Sequence, residues 1–240
     1  MRRYFALGSL LLVAGVASAT AQTYQQFNLW CFGDGTADQT IQGCDAVIRW
    51  ARETPRDTGT AFYNRGLAHA AKGRIDRAID DYNQAIRLRP DLADAYNNRG
   101  LAWRLKGDAA RALRDFDETL RLNPGDVDAL YNRGLALGDL KQYDRALAAF
   151  GSLLQRRPGD LGILEARAVV LLHLARFDAA IADYDLVLKA SPNIASALFG
   201  RGFARRAAGD PVRGNADIAA ANSIQPGISE MFGRHGLSGF

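Results

Sequence analysis

The chain has few of the residues that build reactive sites. Of its 240 residues only two are cysteine and three are histidine: His69, His173 and His235. The histidines lie far apart, and none stands beside a cysteine or an acidic motif at metal-ligand spacing. No phosphate loop, dinucleotide fingerprint or nucleophile elbow occurs. Asp80-Asp81 and Asp115-x-Asp117-Glu118 read as solvated helix charges. These absences argue against an enzyme and give no reason to expect a catalytic residue, a metal or a cofactor.

Long apolar runs are equally scarce. The candidate, Ala6 to Val16, is too short for a stable membrane span. It follows Arg2 and Arg3 and precedes the small-x-small sites Ala17-Ser18-Ala19 and Ala19-Thr20-Ala21. Residues 1–21 therefore read as a cleaved secretory signal peptide, which implies a periplasmic or secreted protein without stable membrane insertion. Removing that leader lowers the formal net charge from +4 to +2, too small an excess to suggest a nucleic-acid partner. Cys31 and Cys44 would then meet an oxidising compartment, which favours a disulfide between them.

Proline is sparse but regular. Five of the seven prolines, Pro90, Pro124, Pro158, Pro192 and Pro226, stand 34 residues apart. Segments starting at Gly59, Ala93, Val127, Leu161 and Ala195 align under one another without gaps. Column eight reads Gly66, Gly100, Gly134, Ala168, Gly202, and column twenty reads Ala78, Ala112, Ala146, Ala180, Gly214. A fixed period of this length marks a solenoid of stacked units, which usually presents a surface and seldom carries chemistry.

Within residues 59–92, Ala61, Phe62, Gly66, Leu67 and Ala70 form one helical stripe, helix A. Gly73 breaks it; Asp76, Ala78, Ile79, Tyr82, Ala85, Ile86 and Leu88 form a second, helix B, and Pro90 ends it. Small residues at columns eight and twenty let the two helices approach. Tyr82, Phe116, Phe150 and Tyr184 at column twenty-four fill the space beside them. His69 falls at inward column eleven and reads as a core residue rather than a ligand.

These columns resemble the tetratricopeptide repeat over residues 59–228, with the Tyr-Asn-Arg-Gly signature of Tyr63 to Gly66 and Tyr131 to Gly134. The resemblance implies an all-α fold, an α-solenoid of antiparallel helix pairs wound as a right-handed superhelix. The departure is column seven, where the family usually has leucine and this chain has Arg65, Arg99, Arg133, Arg167 and Arg201. Asp81, Asp115, Asp183 and Asp217 recur at column twenty-three, where the third unit has Ala149. The arginines either pair with these acids across each hairpin or snorkel past it to water.

Residues 22–58 form a degenerate sixth unit that caps the array, since Asp34 to Ile41 runs parallel to Lys72 to Ile79. In that register Cys31 and Cys44 face inward at columns eleven and twenty-four. In regular helices those columns sit roughly 7 Å apart along the axis, so a bridge calls for irregularity near Cys31. Asp34-x-Thr36-x-Asp38 faintly resembles a calcium loop but reads better as a turn with a helix starting at Asp38. The tail, 229–240, is expected to make a short helical turn around Met231-Phe232.

In the family, helix A lines the concave groove. The resemblance thus implies a peptide-binding surface of Tyr63, Asn97, Tyr131, Glu165 and Phe199 at column five, Asn64, Asn98 and Asn132 at column six, and Arg104 at column twelve. Asparagine amides carry both donor and acceptor: either they pair with an extended backbone, or they simply accompany the repeat signature. The lysines of the carboxylate-clamp subtype are absent from the matching positions; Lys72, Lys106 and Lys141 lie at turns. The expected function is a non-enzymatic scaffold, a monomer or weak oligomer, that holds a protein partner's peptide segment or helix in the groove. The alternative is an assembly factor of an envelope or secretion complex that works through its convex or terminal faces.

Overall fold

A computed structural model describes residues 24–50 and 54–234. The expected signal peptide, 1–21, lies outside the described residues. Every regular element among the described residues is a helix: α1 (24–32), α2 (Ala37–Trp50), α3 (Pro55–Ala71), α4 (Ile75–Leu88), α5 (Ala93–Leu105), α6 (Ala109–Leu122), α7 (Val127–Asp139), α8 (Tyr143–Arg156), α9 (Leu161–His173), α10 (Phe177–Ala190), α11 (Ala195–Ala207), α12 (Pro211–Ile224) and α13 (Ile228–Arg234). The chain is an α-solenoid. It divides into two compact units, one up to Pro124 and one from Gly125. The first holds the pairs α1/α2, α3/α4 and α5/α6; the second holds α7/α8, α9/α10, α11/α12 and the single helix α13.

The helix boundaries have local causes. The side chains of Thr54, Asp108, Asp126, Asp160 and Asp210 each accept a hydrogen bond from the backbone N–H three residues on, which satisfies a donor the helix leaves orphaned. Pro55 at the first position of α3 starts that helix one turn ahead of Gly59. The hairpin turns share a left-handed residue at column fifteen, taken by Gly73, Gly107 and Gly209 in three units and by Lys141 and Ala175 in the other two.

The core follows the small columns. A Cβ added to Gly66, Gly100 or Gly134 would stand 2.7 Å from the Tyr82, Phe116 or Phe150 ring of its own unit, and all three rings are buried. The alanines at column twenty, Ala78, Ala112, Ala146 and Ala180, are fully buried between the helices.

The degenerate first unit is a helix pair tied by a Cys31–Cys44 disulfide, with Cα atoms 4.6 Å apart. The expected irregularity near Cys31 is absent, for Cys31 sits in the last turn of regular α1. Gly43 supplies the proximity instead: a Cβ there would meet the Phe27 carbonyl at 2.5 Å and the Cys31 nitrogen at 2.9 Å. The helix start expected at Asp38 moves to Thr36. Gln39 N–H donates to Thr36 Oγ1 at 3.3 Å and Thr36 N–H donates to Gln39 Oε1 at 2.9 Å, a reciprocal capping box. Asp38 is left to bind Lys72 Nζ at 2.7 Å.

Candidate functional site

The side chains that hold helix A in place come first, because they fix what its outer face can offer. Arg65, Arg99, Arg167 and Arg201 each grip the column-twenty-three aspartate of their own helix B side-on. Nε lies 2.7 to 3.0 Å from Oδ2 and Nη2 lies 2.6 to 2.7 Å from Oδ1. The acids are buried, so of the two readings of these columns the ion pair is the one the fold adopts. These hydrogen bonds raise the Arg167 and Arg201 guanidiniums above their ordinary range.

Three of the arginines also reach backwards. Arg65 Nη1 donates to Asp45 at 2.5 Å, Arg99 Nη1 to Asn83 at 2.7 Å and Arg201 Nη1 to Asp185 at 2.7 Å, each on the preceding helix B. One guanidinium therefore staples three helices. Sequence reasoning missed this second partner. Its signal was the polar column twenty-five, Asp45, Asn83, Asp117, Asp185, broken by Gly151.

The predicted groove residues divide. In the first unit Tyr63 and Asn98 come together: Asn98 Nδ2 donates to the Tyr63 hydroxyl at 3.1 Å and to the Asp94 carbonyl at 2.8 Å. Burial, helped by Asp94, pushes the Tyr63 phenol up to about 12. Asn64 Nδ2 donates to the Cys31 carbonyl at 2.9 Å and so caps the end of α1. Both amides thus bind the fold itself. Asn97 and Arg104 lie half-buried on α5 with interactions of their own, as do Tyr131 and Asn132 on α7. The Tyr131 ring rests 5.8 Å from that of Phe150. Glu165 is half-buried on α9.

Phe199 is a correction. It is buried at 7% exposure, and Phe232 of α13 packs on it with ring centroids 4.6 Å apart. The tail forms the expected short helix, but that helix covers part of the expected groove. Apolar side chains left open on α3 and α5 include Leu67, 37% exposed, and Leu105, 75% exposed. Leu105 was overlooked because the other units carry mixed residues at its column.

His69 is buried in the first unit with Nε2 3.9 Å from Asp81 Oδ2, and burial holds its imidazole below the ordinary value. Among the described residues no cluster of His, Cys, Asp or Glu could hold a metal ion, and no helix is long and apolar enough to cross a membrane. What the helix A faces offer is apolar contact, amides and guanidiniums, which suit the recognition of another chain.

The molecule is similar to known repeat proteins. A family model described as TPR repeat matches residues 66–107, and one described as tetratricopeptide repeat matches residues 106–161 and 131–193. Together they extend over more than half of the chain. No curated protein matches it. Among solved structures it is similar to YrrB, described as a TPR protein with an unusual peptide-binding site. The TM-score is 0.63 at 20% identity, with 82% of this chain and 98% of that one covered. It is also similar to MamA from Desulfovibrio magneticus RS-1, with a TM-score of 0.66 at 19% identity and 72% and 97% coverage. A second MamA, from AMB-1, gives 0.61 at 22%, with 69% and 98% coverage. At these identities the likeness is one of fold.

Proposed function

Because the chain belongs to the tetratricopeptide repeat family, we propose that this protein–protein interaction scaffold is non-enzymatic and holds a partner's peptide segment or helix against its helix A faces. The observation that carries the reading is the open apolar pair on α3 and α5. Leu67 and Leu105 are exposed, and Tyr63, Asn97 and Arg104 on the same two helices are half-buried. Such a face gives apolar area for affinity and polar groups at its edge for register. YrrB, a protein of the same fold, is described as having a peptide-binding site, which supports the reading by analogy. The leader-like sequence of residues 1–21 supports a periplasmic location for the scaffold.

The test uses Leu67 and Leu105 rather than the asparagines, since Asn64 and Asn98 serve the fold and their removal would confound binding with stability. A photo-crosslinking residue at position 67 or 105, expressed in the native envelope, should capture a discrete protein partner. Capture should fail when the other leucine is changed to serine. Equal capture from position 87, exposed on helix B of the same unit, would refute the helix A reading.

A further inference from the structure

Four of the five arginines at column seven close on an aspartate of their own unit, and the third unit breaks the rule. Arg133 faces a column filled by Ala149. At that place the second compact unit has a cleft of about 390 Å³ between α7 and α8. Its lining includes Arg133, Arg145, Arg156, Ser152, Ala148 and Ala149, and no acid. Arg133 has an interaction of its own, so the added charge of the cleft comes from Arg145 and Arg156.

The layout specifies the ligand. Arg145, Ala149, Ser152 and Arg156 follow one another on one face of α8 at steps of four, three and four residues. Small residues leave the middle open, and a guanidinium stands at each end, roughly 16 Å apart along the helix axis. One small anion cannot meet both ends. An extended segment of about five residues spans that length. Each arginine has five N–H donors in a fork that fits a carboxylate. Arg145 uses one of them on Gln142. We propose that this cleft docks an acidic segment of a partner protein, with its carboxylates meeting Arg145 at one end and Arg156 at the other. The site belongs to the second compact unit, whereas the leucines of α3 and α5 belong to the first, and it adds a second recognition surface to the scaffold.

Fluorescein-labelled hexaglutamate, followed by anisotropy against the purified chain at low salt, tests this. It should bind, weaken as salt rises, and be matched by no binding of hexaglutamine. Ala149→Asp places the sister units' acid in the cleft and should weaken binding at least about tenfold while the melting temperature is kept or raised. Arg145→Gln with Arg156→Gln should weaken it as much, and that pair decides the matter should Ala149→Asp fail to fold. Leu67→Ser with Leu105→Ser should leave it unchanged, which separates this surface from the helix A face. The proposal is overturned if hexaglutamate does not bind, if the folded variants bind it as well as the unaltered chain does, or if inorganic phosphate displaces it more strongly than chloride of equal ionic strength, which marks a small-anion site.

Discussion

Tyr184 lies against Gly200 of the following hairpin, so close that a Cβ on Gly200 would stand 2.3 Å from its ring. In the first three units the ring at column twenty-four rests on the glycine of its own unit, but in the fourth that place is filled by Ala168. The ring turns instead to Gly200, at the column where the first three units carry asparagine. The two departures are one packing solution. Gly200→Asn should therefore destabilise by about 1–3 kcal/mol through overpacking. Adding Ala168→Gly reopens the original seat and should recover part of the loss, giving a coupling of at least about 0.5 kcal/mol in a double-mutant cycle by urea denaturation. Strict additivity would show that the ring has no alternative seat.

The same ring carries a second expectation. The Tyr184 hydroxyl is fully buried, has no hydrogen-bond partner among the described residues, and is pushed far up in pKa by that burial. Phe116 and Phe150 occupy its column elsewhere. Tyr184→Phe removes an unsatisfied polar group and should be neutral or stabilise by up to about 1 kcal/mol. A clear loss of stability would point to a partner for the hydroxyl.

The Arg167–Asp183 pair should respond asymmetrically. Asp183 is only 3% exposed, whereas the Arg167 side chain keeps 29% of its surface in water. Arg167→Met strands a buried carboxylate and should lose about 3–5 kcal/mol. Asp183→Ala leaves a guanidinium that can still reach solvent and should lose less, about 1–3 kcal/mol. Both exceed the ~0–1 kcal/mol of a surface ion pair. Chemical denaturation of the two variants reads the order directly, and equal, sub-kilocalorie losses would return these pairs to the surface class.

What the sequence made legible was whatever the period repeats. The small columns, the ring at column twenty-four and the Arg–Asp register recur in several units, so alignment exposes them. The Cys31–Cys44 bridge was expected from two inward columns and a leader-like N-terminus that implied an oxidising compartment. Contacts outside the period stayed hidden. The burial of Phe199 depends on α13, which follows the last full unit, and the role of Asn64 depends on where α1 ends. The backward reach of Arg65, Arg99 and Arg201 joins neighbouring units, a relation a column-by-column reading does not display. The exchange of Ala168 and Gly200 was visible as two exceptions, but only the ring that links them makes it one event.

Protonation of His69 should weaken the first unit. Burial lowers its imidazole pKa, Asp81 pulls the other way, and Arg65, Arg74 and Arg77 lower it further. The unfolded chain, with an ordinary value near ~6.5, then binds the proton more readily than the folded one. The stability from the neutral side chain is fully present above that value and is lost as pH falls through it toward the folded pKa. His69→Leu, the residue that Leu137 and Leu171 place at the same column, should show a smaller drop in melting temperature between pH 7.5 and 5.5 than the unaltered chain. An identical drop in both would remove His69 as the cause.

Two of the five hairpin turns hold a side chain in a backbone geometry that suits glycine. Lys141 has φ 59° and Ala175 φ 54°, where Gly73, Gly107 and Gly209 take φ 69°, 80° and 93°. The left-handed region costs a residue with a Cβ roughly 1–2 kcal/mol, by crowding against the following carbonyl. Glycine avoids that strain but loses more chain entropy on folding, about 0.5–1 kcal/mol. The net gain from Ala175→Gly or Lys141→Gly should therefore be about 0.5–1 kcal/mol each, and additive, because the turns belong to different hairpins. The reverse change, Gly107→Ala, should lose a similar amount, since its would-be Cβ meets nothing within 4 Å and only the backbone strain remains. Thermal or urea unfolding of the three variants measures this. If Ala175→Gly loses stability while Gly107→Ala does too, entropy rather than strain governs at Ala175.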